Sequence, residues 1–321
     1  MDIAPHLISL SYTDKADNEL DDLQITLEDR EGLWQGDWLP KHGDLLKVKI
    51  LADNFRGYER EELDCGEFEV DELTLDTSFD GGDVVTIKGV PAVAKSSLMM
   101  ERNTRAWADV HFAALAGDVV GPAGLDVLYK APEIIFERIE QKQESDLEFL
   151  NRVAKEQGLR LCLKKKQAII YSGQMADQLE PIELERKSLA FGRASFKRTL
   201  DDVYTQCVVG YTDADNSETT DKEFKPEIPP TTGKVLTLSQ RIEDPAQAER
   251  VAKAELRAKN CKEMTANLDG MGDCRMLAGT VLKLSGWGHF DSDYVIREAA
   301  HSISRDGGYT VSLQLDKALD Y

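Results

Sequence analysis

The side chains that could perform metal or nucleophilic chemistry are few and lie far apart in this sequence. No two histidines have the HxxxH or HExxH spacing that holds zinc on one helix face. His301, Ser302 and Asp306 lie close together, but a strand points neighbouring side chains in opposite directions, and no GxSxG nucleophile elbow is present. We therefore predict no catalytic residue and no metal site. The five histidines are His6, His42, His111, His289 and His301.

Two other patterns resemble ligand sites but lack an essential part. Residues 213–218 begin like a calcium loop, yet Glu218 stands where that loop needs glycine, and the closing glutamate is absent. The GxG pieces at residues 270–272 and 286–288 lack the following helix that holds a phosphate. With 59 acidic residues, some carboxylate pair lies at catalytic separation in any fold, so acid abundance is no evidence for a glycosidase. No cluster of Trp and Tyr beside an acid marks a sugar-binding groove. We predict no bound cofactor.

Charge is the strongest feature of the composition. The 321 residues include 59 Asp and Glu against 39 Lys and Arg, which gives a formal net charge of -20. Such a chain repels phosphates, and its one compact basic run, residues 164–166, is interpreted as a solvated strand end. We therefore predict no specific nucleic-acid binding.

The cysteines and the apolar residues indicate a protein that folds in a reducing compartment. The five cysteines are odd in number and form no CxxC pair, so we expect reduced and mostly buried thiols. No apolar run reaches the roughly 20 residues that span a bilayer, and the first residues lack a secretory signal. The sequence thus predicts no membrane anchoring.

The first 95 residues are predicted to form short strands separated by turns. The β-prone runs are residues 7–13, 23–28, 45–52, 66–76 and 83–90. Several short strands at this spacing are typical of a sandwich or a barrel. The acidic segment 14–22 is predicted to be the solvated tip of a hairpin.

Residues 96–190 are predicted to form a small α/β domain. Apolar spacing predicts one helix over residues 106–120. Ser145 and Glu148 form a capping box for a second helix, which Gly158 ends. Two strands follow, at residues 160–163 and 168–172.

Residues 191–321 are predicted to form a second β domain. Residues 212–234 are rich in acid, threonine and proline, which predicts an exposed loop. Asp244 is the expected N-cap of a helix over residues 245–259, with Pro245 at its first position. The remaining strands are predicted at residues 264–268, 280–285, 294–303 and 309–315.

An internal repeat links the two β regions. Residues 68–88 align without a gap on residues 294–314, and six of the pairs are identical, among them the three of the turn Asp80-Gly81-Gly82. Asp-Gly-Gly recurs in unrelated hairpins through turn chemistry. Agreement along both flanking strands favours a duplication and predicts two related β domains.

Motifs at both ends and in the middle of the chain together resemble the late control D family of phage proteins. They are DLQITLEDREGLWQGDWLPKHGD and CGEFEVDEL near the start, the helix QKQESDLEFLNRVAKEQGL, and the terminal series GWGHF, YVI, HSIS and GGYT. The resemblance implies an α+β, mainly β fold in which two tail-tube-like antiparallel β-barrels, residues 1–95 and 191–321, flank the α/β domain of residues 96–190.

The resemblance also implies a function. It suggests the baseplate hub of a contractile tail: a homotrimeric ring of pseudo-sixfold symmetry that joins the hexameric tail tube to a trimeric spike, with other baseplate subunits and a tape measure protein as further partners. The expected location is a virion or tail-like particle assembled in the bacterial cytoplasm. Because the sequence ends directly after the second β domain, the spike is expected to be a separate polypeptide.

Two segments are predicted to contact these partners. The first surrounds the tryptophan pair, with Leu33, Trp34, Trp38 and Leu39, and the second is the acidic loop, with Phe224 and Pro226. Aromatic anchors favour an interface, although the tryptophan segment could equally close one end of the first β domain. Two alternatives to the hub remain open at this point: a tail-associated peptidoglycan hydrolase and a plain binding module.

Overall fold

The fold is α+β and consists mainly of strands, as predicted. The computed structural model describes residues 3–16, 19–41, 43–53, 60–79, 82–95, 97–164, 166–174, 179–187, 191–212, 219–230, 233–242 and 244–321. Three predicted features lie outside these ranges: the calcium-like segment 213–218, His42, and the turn residues Asp80 and Gly81.

Five antiparallel strands form the amino-terminal motif, in the sheet order β1-β2-β5-β4-β3. They are β1 Leu7–Lys15, β2 Asp22–Glu28, β3 Leu45–Asp53, β4 Arg60–Asp76 and β5 Val84–Pro91. Leu23, Ile25 and Leu27 are buried and alternate with polar residues along β2, so one face of the sheet covers a core and the other is polar. The five strands predicted from the sequence are present.

The middle domain packs three helices, one of them a single turn, against two small sheets. Its main elements are α1 Ser97–Met100, β6 Arg102–His111, α2 Phe112–Val120, β7 Asp126–Lys130, β8 Ile135–Ser145, α3 Asp146–Glu156, β9 Arg160–Lys164 and β10 Gln167–Tyr171. The Ser145 hydroxyl accepts from the Glu148 amide, and the Glu148 carboxylate accepts from the Ser145 amide, which confirms the predicted capping box. Gly158 follows the helix with φ +70°, as the predicted left-handed stop requires.

The helix predicted over residues 106–120 is wrong in its first part. Residues 106–111 belong to strand β6, and the helix begins at Phe112. The cause is Asp109, whose φ of 50° interrupts the alternation of the strand. On either side of it, Trp107 and Val110 both pack against the same core, and this spacing of three residues imitates a helix face.

A second five-stranded arrangement, the carboxy-terminal motif, has the sheet order β12-β16-β19-β18-β17. Its strands are β12 Phe191–Arg198, β16 Met264–Met271, β17 Val281–Ser285, β18 Ser292–Ser304 and β19 Gly308–Lys317, with β11 Ile182–Glu185 parallel to β17 at the edge. Leu268, Tyr294 and Leu313 lie in its core.

A small sheet and one long helix form an insertion between β12 and β16. They comprise β13 Gln206–Thr212, β14 Thr219–Phe224, β15 Val235–Ile242 and α4 Pro245–Asn260. The carboxylate of Asp244 accepts from the amides of Ala246 and Gln247 at 2.9 and 3.0 Å, as predicted for the N-cap. The exposed loop predicted over residues 212–234 is wrong for residues 219–224, because β14 pairs with β13 and packs against α4.

The two motifs share one continuous sheet. β1 pairs with β2 on one edge and with β18 on the other, so the ten strands of the two motifs and β11 form a single sheet of eleven described strands. Among the described residues this pairing closes neither motif into a separate barrel. The predicted two-barrel arrangement is therefore not confirmed, whereas the mainly β character is.

Candidate assembly interface

The hairpins at residues 68–88 and 294–314 have the same strand register. Leu73 lies opposite Ile87 in the first hairpin, and Ala299 lies opposite Leu313 in the second. Both members of the second pair are 226 residues further along the chain than those of the first, as in the ungapped alignment. The repeat found in the sequence is thus a repeat of structure.

An irregularity in the pairing recurs at the same place. The register shifts between Val70 and Glu72 in β4 and between Ile296 and Glu298 in β18. A bulge that inserts one residue bends its strand and is a specific feature, so two bulges at equivalent positions indicate a common design of both hairpins. We infer that the motifs arose by duplication.

Equivalent side chains also make equivalent contacts. Glu72 accepts from Lys88 at 3.0 Å, and Glu298 accepts from Gln314 at 2.9 Å, across the same strand pair of each motif. This hydrogen bond lowers the pKa of Glu72. In the cores, the rings of Tyr12 and Phe68 lie 6.1 Å apart, and those of Phe196 and Tyr294, which occupy the same positions, lie 6.3 Å apart.

The outer strands match as well. The register of β1 on β2 shifts between Leu7 and Ser9, and that of β12 on β16 shifts between Phe191 and Arg193. In β3 and β17, the Leu-Lys pairs that begin at Leu46 and Leu282 occupy the same positions. All five strands of one motif therefore have a counterpart in the other, in the same order.

A buried histidine lies where β1 joins β18. His301 is opposite Tyr12 in the register, and their rings stack at 6.1 Å. Its Nε2 donates to the carbonyl of Met276 at 2.9 Å, which fixes the tautomer, and its Nδ1 accepts from the hydroxyl of Tyr309 at 2.8 Å. Burial lowers the pKa of His301, so this side chain is neutral and holds the junction together without a charge.

One lysine connects the amino-terminal motif to the middle domain. The Nζ of Lys164 contacts the carboxylates of Asp14 and Asp21, the latter at 2.5 Å. The other oxygen of Asp14 accepts from the amide of Ala278 at 2.7 Å, and Asp21 also accepts from the hydroxyl of Tyr12 at 3.1 Å. Burial raises the pKa of Asp21, and the two carboxylates outweigh the effect of burial on Lys164 and raise its pKa.

This contact corrects two predictions. The hairpin tip between β1 and β2 is not wholly solvated, because Asp14 is 3% exposed. The basic run at residues 164–166 is not simply a solvated strand end either, because Lys164 neutralises buried acids. No local pattern indicates this partnership, since 150 residues separate Asp14 from Lys164.

The predicted tryptophan segment belongs largely to the chain's own core. Trp34 is 4% exposed and meets Trp38 edge-on at 5.6 Å, and Trp38 meets His6 in the same way. Leu33 is partly buried, while Leu39 is 49% exposed. The burial of Trp34 is therefore explained by its packing in the core of the amino-terminal motif. The interface role of the segment stays a prediction.

The second predicted contact segment is also packed within the chain. The ring of Phe224 lies 5.7 Å from that of Tyr321 and is partly buried. Pro226 is buried. Neither residue is thus a fully exposed anchor, and their role in an interface remains a prediction.

The described part of the chain offers few other kinds of site. No group of three or more metal-ligating side chains is present in the described ranges. All five cysteines are free thiols, and only Cys261 is not buried. None of the helices that the structure describes is both long and apolar enough to cross a membrane.

Comparison with known proteins identifies the family. The model of the phage tail baseplate hub (GPD) family matches residues 90–307, which is more than half of the chain. The chain belongs to this family. A relative of this chain, the probable baseplate hub protein of Escherichia phage P2, is 31% identical over 188 residues. That match covers 55% of the chain and 45% of the relative, so the chain spans less than half of the length of this relative.

Solved structures share the fold of this chain across nearly its whole length. A tail protein from Neisseria meningitidis MC58 superposes with a TM-score of 0.70 at 13% identity, over 97% of this chain and 92% of the other. A component of the type VI secretion system of E. coli gives a TM-score of 0.58 at 12% identity, over 98% and 74%. The latter is described as similar to the phage T4 tail proteins gp27 and gp5. These likenesses show that the fold is shared.

Proposed function

We propose that this chain forms the trimeric baseplate hub that connects a hexameric tail tube to a trimeric central spike. The observation that carries the proposal is the shared register and shared bulges of the two five-stranded motifs. Three chains with two such motifs each present six quasi-equivalent units to a sixfold tube, while the ring as a whole keeps threefold symmetry for the spike. Duplication thereby resolves a symmetry mismatch between two neighbours.

In this proposal each motif is one tail-tube-like barrel unit of the ring. Residues 1–95 supply one unit, residues 191–321 supply the other, and residues 96–190 form the domain between them. The pairing of β1 with β18 would be the contact between two adjacent units of the ring. The family match and the description of the E. coli type VI relative support this arrangement.

The polar face of the shared sheet is proposed to line the channel. Ser9, Ser11 and Thr13 project from this face of β1, opposite in direction to the buried Tyr12. The ion pair between Lys15 and Asp22, 2.5 Å long, neutralises a positive charge there. With a chain charge of -20, such a surface would repel phosphates and let DNA pass without adhering.

The mass of the assembled protein tests the proposal. Light scattering should show three copies of the 35.8 kDa chain in one particle, either for the purified chain alone or once the tube and spike proteins encoded with it are added. Binding to the two partners should occur at opposite faces, so that a ternary complex forms. A chain that remains monomeric in every mixture would contradict the hub proposal.

A further inference from the structure

Two exposed strand edges in this chain are the counterparts of two edges that already pair with each other. Within one chain, β1 covers residues 298–304 of β18. The counterpart of β1 in the other motif is β12, and the counterpart of this part of β18 is residues 72–78 of β4. The described strands include none that pairs with the outer edge of β12 or with residues 72–77 of β4 on that side.

We propose that the outer edge of β12 of one copy pairs antiparallel with residues 72–77 of β4 of the next copy. This inference rests on the proposed trimeric ring and specifies the contact that closes it. The register follows from the β1–β18 pairing: Ser195 lies opposite Asp76, Phe196 opposite Leu75, and Lys197 opposite Thr74. Each chain offers one edge of each kind, so the contact is head-to-tail and can close a ring.

The charges of the two edges are complementary. β12 carries Arg193, Lys197 and Arg198 and no acid, in a chain whose net charge is -20. The β4 edge carries Glu72 and Asp76, and in the proposed register these are the diagonal neighbours of Lys197. This charge complementarity favours pairing of β12 with β4 over other pairings of the same edges.

Pairing between two identical edges is disfavoured by the same charges. Two β12 edges would bring six cationic side chains together, and two β4 edges would bring acids together, and like charges across strands are destabilising. Lysine and arginine on an exposed edge also hinder random strand addition. The second copy of this chain is therefore the occupant that the edge chemistry selects.

Exposed apolar side chains lie at both edges. Leu75 is 38% exposed and Leu200 is 63% exposed, whereas Phe79 is completely exposed. In the proposed register Leu75 lies beside Phe196, in the way that His301 lies beside Tyr12 at the junction within the chain. The contact would thus cover Leu75, together with Phe79 and Leu200 at its two ends.

Disulfide cross-linking tests the register. The backbone bonds from Ala16 to Arg297 and from Arg305 to Ile8 make Ser11 and Ser302 a non-hydrogen-bonded pair, in which side chains lie closer together. The counterpart across the proposed contact is Ser195 with Asp76. The variant S195C/D76C should therefore oxidise to a covalent trimer that a denaturing gel without reductant resolves from the monomer.

A variant shifted by one residue is the matched control. In S195C/L75C the second cysteine points to the other face of the sheet, so no cross-link above that of the unmodified chain is expected. The native mass of each variant is measured before oxidation, and circular dichroism checks that it is folded. Native trimers in which S195C/D76C fails to cross-link, or S195C/L75C cross-links instead, would overturn this contact and leave the ring intact. A wild-type chain that stays monomeric both alone and with the tube and spike proteins would contradict the contact and the ring together.

Discussion

Phe68 and Tyr294 occupy the same position in the two five-stranded motifs of this chain. Each lies two residues before the bulge of its long strand, and each is at most 1% exposed. Phe68 contacts the ring of Tyr12, and Tyr294 contacts the ring of Phe196, which occupies the equivalent position in the first strand of its motif. The equivalence extends to the leucines opposite them, Leu46 and Leu282. One packing arrangement therefore stabilises both halves of the proposed hub.

Removing either ring should destabilise the chain strongly. Phe68→Ala leaves a cavity in the core and should lower the free energy of unfolding by about 3–5 kcal/mol, which urea denaturation measures. Leu179→Ala removes an apolar side chain that is 57% exposed and lies outside the proposed contact, so it should change the free energy of unfolding by no more than about 0.5 kcal/mol. Equal effects of the two substitutions would contradict the burial assigned to Phe68.

The contact of Lys164 with two aspartates is expected to stabilise the link between the amino-terminal motif and the middle domain. Lys164→Met leaves Asp14 and Asp21 without their cation and should cost about 3–5 kcal/mol, because a buried charge then lacks its partner. Lys166→Met, at an exposed neighbouring position, is the control and should have little effect. Thermal unfolding of both variants decides the point, and an unchanged midpoint for Lys164→Met would refute the link.

The stability of the chain should depend on pH through His301. Burial lowers the pKa of His301 in the folded chain, while the unfolded chain keeps the ordinary value of about 6.5. The unfolded state thus binds the proton more readily, so the stabilisation is complete above that pH and is lost as the pH falls. His301→Gln should reduce the difference in the free energy of unfolding between pH 7.5 and pH 5, as measured by urea denaturation. His289→Gln, at an exposed position, should leave that difference unchanged.

Close packing of two helices is tested by a pair of glycines. Gly158 and Gly124 both have positive φ, +70° and +72°. A Cβ at Gly158 would lie 2.7 Å from the carbonyl oxygen of Arg250 on α4, whereas nothing lies within 4 Å at Gly124. Both alanine variants should lose about 1–2 kcal/mol to backbone strain. Gly158→Ala should lose clearly more, and an equal loss would argue against the contact with α4.

Charge reversal on the β12 edge should weaken self-association. Lys197→Glu places a third acid between Glu72 and Asp76 of the neighbouring copy, so sedimentation should show a shift from trimer to monomer. Adding Asp76→Lys should restore part of the trimer. Lys130→Glu, an equal change of net charge at an exposed position of the middle domain, should leave the trimer unaffected.

Features with local causes were predictable from the sequence. The capping box at Ser145, the stop at Gly158 and the N-cap at Asp244 depend on residues a few positions apart, and all three are present. The repeat was visible because a turn and a bulge constrain both flanking strands. Only six of its aligned pairs are identical, yet the register recurs throughout both motifs.

Features that depend on distant partners were not predictable. Asp14 and Lys164 look like solvated charges until folding brings them together. The sequence leaves open whether Trp34 docks on a partner or closes one end of the amino-terminal motif, and the fold buries it in that motif. The strand at residues 106–111 was hidden because the positive φ of Asp109 places Trp107 and Val110 on one side. In each case tertiary context outweighed the local pattern.

Electron microscopy of purified tails with this chain labelled tests the central claim most directly. The account predicts three copies between tube and spike, with six similar β units around the channel, two from each chain. A ring of six chains, or a label found away from the junction of tube and spike, would contradict it.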